Sequence, residues 1–243
     1  MEKLKEIKEA TGYEQLELIA SEFNSSWGPR DPIHDTYFNA TYCLEQIKRC
    51  EGKCNVLSYW SFSDLMEEAG VPPKPFHGGF GLLNLQGIKK PIYHLYCFLN
   101  KLKGTYLTTE GYSRIIATGD PQTISLIIWD FTWPEQKKED NNSFYLKPLL
   151  PKEKKKIKLI LNGWQGRYIY RQYRIGYLEN DPFSWYLQIG APENLSREKE
   201  QYLKDSSLGR PVISQLVKLS KHFSLETTLN TNEILFLEFK KIE

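Results

Sequence analysis

The chemistry in this chain starts with Glu22. It ends the run Leu16-Glu17-Leu18-Ile19-Ala20-Ser21-Glu22 and opens the polar, aromatic segment Phe23-Asn24-Ser25-Ser26-Trp27. Leu16, Leu18 and Ala20 alternate with their neighbours, which predicts a short buried strand with a carboxylate at its carboxy-terminal rim. A second strand end follows in Ser58-Tyr59-Trp60-Ser61-Phe62-Ser63-Asp64, with Glu67-Glu68 just beyond. If both strands belong to one parallel sheet, Glu22 and Trp60 open onto the same mouth, where parallel α/β barrels keep their sites. An indole beside carboxylates suits a sugar, since an aromatic face packs on the apolar side of a pyranose while carboxylates accept hydrogen bonds from its hydroxyls. The residues alone also fit plainer roles. Glu22 suits an N-cap or an ion pair, Trp60 a core filler and Glu67-Glu68 a solvated helix face.

The elements that must position these groups fall into two compositional halves. Over residues 1–104 the pattern is helix (3–10), strand (16–22), polar loop, helix (36–50), strand (54–60), a Gly/Pro-rich loop (69–81) and helix (91–102). Strands alternating with helices of this length are βα units of a parallel sheet. Two such units are too few to close an eight-stranded barrel.

From residue 105 onward, short runs rich in β-branched and aromatic residues are separated by turn residues: 113–117, 123–131, 144–149, 157–161, 168–173, 185–189, 223–229 and 234–239. That spacing predicts an antiparallel β-sandwich over residues 105–243. One helix, residues 197–204, interrupts it behind Ser196 as N-cap. The lysine-rich residues 152–158 are expected to be the solvated entry to a strand.

Composition narrows the function classes. The 243 residues, 40% hydrophobic and 14% aromatic, suffice for a substantial core. A net charge of +2 from 32 basic and 30 acidic residues provides no field arguing for nucleic acid or an anionic membrane. The charged first residues contain no apolar leader segment and no later run reaches spanning length, so a cytoplasmic protein is expected. Cys43, Cys50, Cys54 and Cys97 are expected to be reduced structural thiols, because Cys50-x-x-x-Cys54 has no second metal-type pair.

Five segments in order and in register carry a resemblance: Ser21-Glu22-Phe23-Asn24-Ser25-Ser26-Trp27; Pro32-Ile33-His34-Asp35-Thr36-Tyr37-Phe38-Asn39-Ala40; Ser58-Tyr59-Trp60-Ser61-Phe62-Ser63-Asp64 with Glu67-Glu68; Phe76-His77-Gly78-Gly79-Phe80-Gly81-Leu82; and Gly87-Ile88-Lys89-Lys90-Pro91. Together they resemble glycoside hydrolase family 39, and its β-xylosidases rather than its α-L-iduronidases. The match is dense over residues 16–104 and looser beyond, where residues 185–196 form the best island.

The resemblance implies a retaining glycosidase built on a (β/α)₈ barrel with an appended β-sandwich. It makes Glu22 the nucleophile, places Trp60 in the sugar subsite, and assigns Glu67 or Glu68 to sugar hydroxyls. His77 would lie on a loop near the pocket. It implies a xyloside or xylo-oligosaccharide substrate and no metal or organic cofactor. In the family the acid/base glutamate follows an asparagine in an Asn-Glu-Pro segment, which does not occur in this sequence. Asn180-Asp181-Pro182 lies in the β-rich half and is not a replacement. The expectation is therefore the last two βα units of the barrel, residues 1–104, followed by the sandwich, with the nucleophile present and the acid/base absent. Such a chain is expected to be inactive or nearly so alone, with an upstream chain as a candidate supplier of the remaining barrel. A non-catalytic carbohydrate-binding or assembly module is the alternative.

Overall fold

The computed structural model describes residues 2–65 and 69–242, so Glu67 and Glu68 lie outside the described residues. Helix α1 (Glu2–Thr11) leads into strand β1 (Ile19–Phe23), helix α2 (Tyr37–Cys50), strand β2 (Val56–Tyr59) and helix α3 (Pro91–Lys101). β1 and β2 pair in parallel, as two βα units require. The α2 boundary is set by its cap: Thr36 accepts a hydrogen bond from the Asn39 amide, satisfying one of the amides that a helix start leaves without a partner. Pro91 opens α3, where its missing N–H costs nothing.

The expected burial of the first strand does not hold. Leu16 and Ile19 are 53% and 60% exposed, and β1 has β2 as its one partner among the described strands. A parallel strand becomes fully buried when it is paired on both edges and covered on both faces. This two-stranded sheet leaves its outer edges open.

The second half continues with β3 (Thr105–Tyr106), β4 (Ile115–Gly119), β5 (Thr123–Trp129), α4 (Asn141–Phe144), β6 (Lys154–Asn162) and β7 (Gly166–Ile175). It ends with α5 (Pro182–Gln188), α6 (Arg197–Asp205), β8 (Ile213–Leu219), β9 (His222–Asn230) and β10 (Ile234–Ile242). Six strands form an antiparallel sheet in the order β3-β4-β5-β10-β7-β8, and β6 pairs with β9 in a second sheet. One face of the large sheet packs Ile124, Leu126, Leu235, Leu237 and Phe239 against Leu159, Leu161 and Leu229 of the small sheet. Its other face packs Ile127, Trp129 and Phe236 against Phe38 and Leu44 of α2 and Leu95 and Phe98 of α3. Burial on both sides explains why β5 and β10 are nearly continuous apolar runs, whereas β6 alternates. Glu45 of α2 clamps the helical layer to the sheet by accepting hydrogen bonds from Arg114 (2.9 Å) and Trp129 (2.9 Å).

Two local expectations are corrected, and one strand is added. Residues 144–149 form no strand; Phe144 ends a short helix whose N-cap, Asp140, accepts from the Ser143 amide. Residues 185–189 lie in and just after α5 instead of a strand, because Asp181 caps and Pro182 starts a helix that buries Phe183 and Tyr186 three residues apart. Strand β8 escaped the pattern because its side chains are largely exposed and mix polar with apolar residues. The lysines of residues 154–158 lie within β6 itself, where Lys154, Lys156 and Lys158 are exposed.

Asp181 makes the fold sensitive to pH. It is fully buried, and burial raises its pKa from 3.8 to about 7 against the hydrogen bonds from Ser184 and Leu178. The folded chain thus binds this proton more tightly than the unfolded chain does, so the stabilisation is complete below the unfolded value and is lost as pH rises through about 7. Each factor of ten in proton affinity is worth about 1.4 kcal/mol, so the loss is on the order of a few kcal/mol. Asp181→Asn, which retains a capping oxygen, is expected to be more stable than the parent at about pH 8 and to flatten the profile between about pH 4 and pH 7. Urea unfolding across that range measures it; an unchanged slope would contradict the assignment.

Candidate active site

The parallel pairing brings the two chemically suggestive segments to the same end of one small sheet. Ala20 is opposite Leu57 and Phe23 is opposite Tyr59, so Ser21 and Glu22 together face the single residue Ser58. This bulge gives the strand an extra residue where Glu22 sits, a device that re-aims side chains next to functional sites. Glu22 is exposed at the carboxy-terminal end of β1, and Trp60 is half-buried immediately after β2.

Short polar contacts hold the two ends together. The Trp60 amide donates to the Phe23 carbonyl (3.0 Å), and the Asn24 side chain donates to the Trp60 carbonyl (2.6 Å). The Trp60–Ser61 peptide bond is cis. On its far side Ser61 donates to the Phe80 carbonyl and accepts from the Leu82 amide. Trp60 is thus fixed between the Glu22 strand and the glycine-rich loop of residues 76–82. Trp27, on the loop leaving β1, is 93% exposed.

Beneath this mouth is a buried ionic knot that sequence reasoning missed. Lys90, at the start of α3, lies 2.7 Å from Asp35 and 2.9 Å from Asp64, and donates to the Gly79 carbonyl (2.8 Å). The carboxylates in turn accept backbone amides, Gly78 on Asp35 (2.7 Å) and Gly81 on Asp64 (2.7 Å). Burial alone would lower the Lys90 pKa, but the two carboxylates outweigh it and raise it. Burial also raises Asp64, with Lys90 opposing and Asp35 reinforcing that rise. The glycines are required by the close approach: a Cβ on Gly79 would meet Asp64 at 2.5 Å, and one on Gly81 would meet the Asp64 backbone at 2.3 Å. His77 is buried in this loop.

Chemically, the arrangement offers an accessible carboxylate at a bulged strand end, an indole just after the neighbouring strand, and loops held by paired buried charges. Residues 1–221 match the model of "Glycosyl hydrolases family 39". The chain belongs to this family.

Among its relatives, a β-xylosidase of Caldicellulosiruptor saccharolyticus is 32% identical over 229 residues, covering 91% of this chain and 42% of that protein. The crystal structure of the family 39 enzyme from Xanthomonas axonopodis pv. citri is similar with a TM-score of 0.95 and 30% identity, over 99% of this chain and 48% of that one. A monomeric β-xylosidase from Caulobacter crescentus CB15 gives a TM-score of 0.92 and 33% identity, over 99% and 49%. This family 39 chain spans about half the length of these relatives. Within it, Asp35, Asp64 and Lys90 were invisible as a unit because nothing local distinguishes a buried charge from a solvated one. The one available signal was the crowding of glycines at 78, 79 and 81, which marks a close backbone approach.

Proposed function

We propose that this chain is the carboxy-terminal portion of a retaining β-xylosidase: the last two βα units of a (β/α)₈ barrel in residues 1–104 and a β-sandwich in residues 105–243. Glu22 is its nucleophile, Trp60 the wall of the sugar subsite, and Glu67 or Glu68 the carboxylate for sugar hydroxyls. The observation that carries this reading is the placement of Glu22 at a bulged strand end beside Trp60, in a family 39 chain with β-xylosidases among its relatives.

In a retaining mechanism one carboxylate attacks the anomeric carbon. A second, about 5–5.5 Å away, protonates the leaving oxygen and then activates water against the glycosyl-enzyme. The second carboxylate belongs to the remaining βα units, supplied by further polypeptide that pairs with the open edges of β1 and β2. Support for such a partner is the exposed Leu16, Ile19 and Val56, since parallel sheets are normally covered. A carbohydrate-binding role for the sandwich alone is less well supported, because both faces of its large sheet are already packed.

By itself the 243-residue chain is expected to turn over an aryl β-xyloside at or near the uncatalysed rate. Losing general acid catalysis alone costs about a hundred- to ten-thousandfold, and the lost substrate positioning costs more. Release of the aryl group measured with the chain alone tests this. Efficient turnover that disappears in Glu22→Gln would show that a second carboxylate works within these residues.

A further inference from the structure

We infer that His34 is a positioning residue for the mouth, its imidazolium form tying the turn that leaves the Glu22 strand to the glycine-rich loop beneath Trp60. His34 is completely buried in the 3₁₀ turn Pro32–Asp35. Its Nδ1 is 2.8 Å from the Gly78 carbonyl and its Nε2 is 3.1 Å from the Ser26 carbonyl. A carbonyl oxygen accepts hydrogen bonds and cannot donate them. A neutral imidazole carries one N–H, so it satisfies one carbonyl and points a lone pair at the other; the imidazolium donates to both. The inference rests on the reading of Glu22 as the active carboxylate for its functional meaning, though not for its geometry.

The surroundings are built for this bridge. Phe80, on the same glycine-rich loop, packs against the imidazole with the ring centroids 4.8 Å apart and the planes tilted by 44°. Gly78 has φ +77°, and a Cβ there would meet the Asp31 backbone at 2.4 Å, so the loop lies directly against the turn carrying His34. Asn39 donates both to the His34 carbonyl (3.2 Å) and to the Tyr59 hydroxyl (3.3 Å), connecting the same turn to the end of β2.

Of the two bridged carbonyls, that of Ser26 has the longer contact and lies at a less buried bond. Loss of the second proton therefore releases the Ser26 side. The Ser25 amide donates to Asn24 Oδ1 (2.8 Å) and the Gly28 amide to Ser26 Oγ (3.2 Å), so both report whether this turn is closed. Trp27 lies between them.

The charges facing His34 set where the bridge forms. Burial holds its pKa below 6.5, and Lys90 adds to that; the Gly78 and Ser26 carbonyls and the Asp31 carboxylate oppose it. Lys90 at the start of α3 is balanced by Asp35 on the His34 turn and by Asp64 after β2, and Asp64 in turn feels His77 of the glycine-rich loop. The bridge is therefore complete on the acidic side and half-made at neutral pH.

Amide hydrogen exchange of the full chain, corrected for the intrinsic effect of pH, tests this. Protection at Ser25 and Gly28 is expected to rise several-fold on going from neutral to acidic pH, while amides of the β5–β10 pairing stay constant. His34→Gln is expected to remove that pH dependence. Nitrogen NMR of the parent protein, which needs no variant, is expected to show both His34 ring nitrogens protonated at the acidic end. A His34 that remains neutral there, or a turn whose protection rises equally in His34→Gln, would overturn the inference. None of these readouts depends on Glu22, so a failure here is separable from a failure of the proposed reaction.

Discussion

Replacing Lys90 with methionine is expected to destabilise the chain by about 3–5 kcal/mol, the cost of removing one partner from a buried ion pair. The ammonium lies between Asp35 and Asp64, and all three side chains are sealed from solvent. Methionine fills similar space but leaves two carboxylates facing each other in a medium where an unpaired charge is expensive. Burial already raises Asp64 with the lysine in place; without it, ionising the carboxylates costs more, so the deficit deepens as pH rises. Denaturant unfolding at mildly acidic and mildly alkaline pH measures both effects. Combining Lys90→Met with Asp35→Asn and Asp64→Asn should recover part of the loss. A single variant costing under about 1 kcal/mol, the range for exposed pairs, would mean that the knot is open to water.

The second large effect concerns catalysis. With the remaining βα units supplied as a separate polypeptide, the chain is expected to hydrolyse an aryl β-xyloside, and Glu22→Gln to lower turnover by roughly ten-thousandfold or more, the order lost when an attacking group is removed from a covalent mechanism. Glutamine keeps the shape of the side chain and its exposure at the β1 end, so the loss is chemical. Trp60→Ala in the same assay is expected to weaken substrate binding more than the chemical step, because an indole wall contributes contact area in ground and transition states alike.

What was legible in the sequence was local. Three helix starts were legible to within a residue, and at the third Ser196 announced the cap, because capping is a property of a few neighbouring residues. The order of strands and helices announced two βα units, and the parallel pairing of β1 with β2 brings Glu22 and Trp60 to one end. What was not legible depended on distant partners. Trp185, Leu187 and Ile189 alternate as a strand would, yet the cap at Asp181 and the packing of Phe183 and Tyr186 on Phe76 select a helix. Ile19 has the composition of a buried strand, and its exposure follows from β1 having one partner, β2, among the described strands, which no pattern within the strand records. Lys90 and His34 acquire their roles from residues dozens of positions away, through carbonyls and carboxylates that a linear pattern does not bring together.

The central claim is that Glu22 attacks the sugar. The complemented protein, treated with an activated 2-deoxy-2-fluoro-xyloside, accumulates a glycosyl-enzyme because the fluorine slows its hydrolysis, and peptide mass analysis then locates the bond. The account predicts one 2-deoxy-2-fluoroxylosyl adduct on the peptide containing Glu22, absent from Glu22→Gln. An adduct on a different carboxylate, or undiminished turnover in Glu22→Gln, would contradict it.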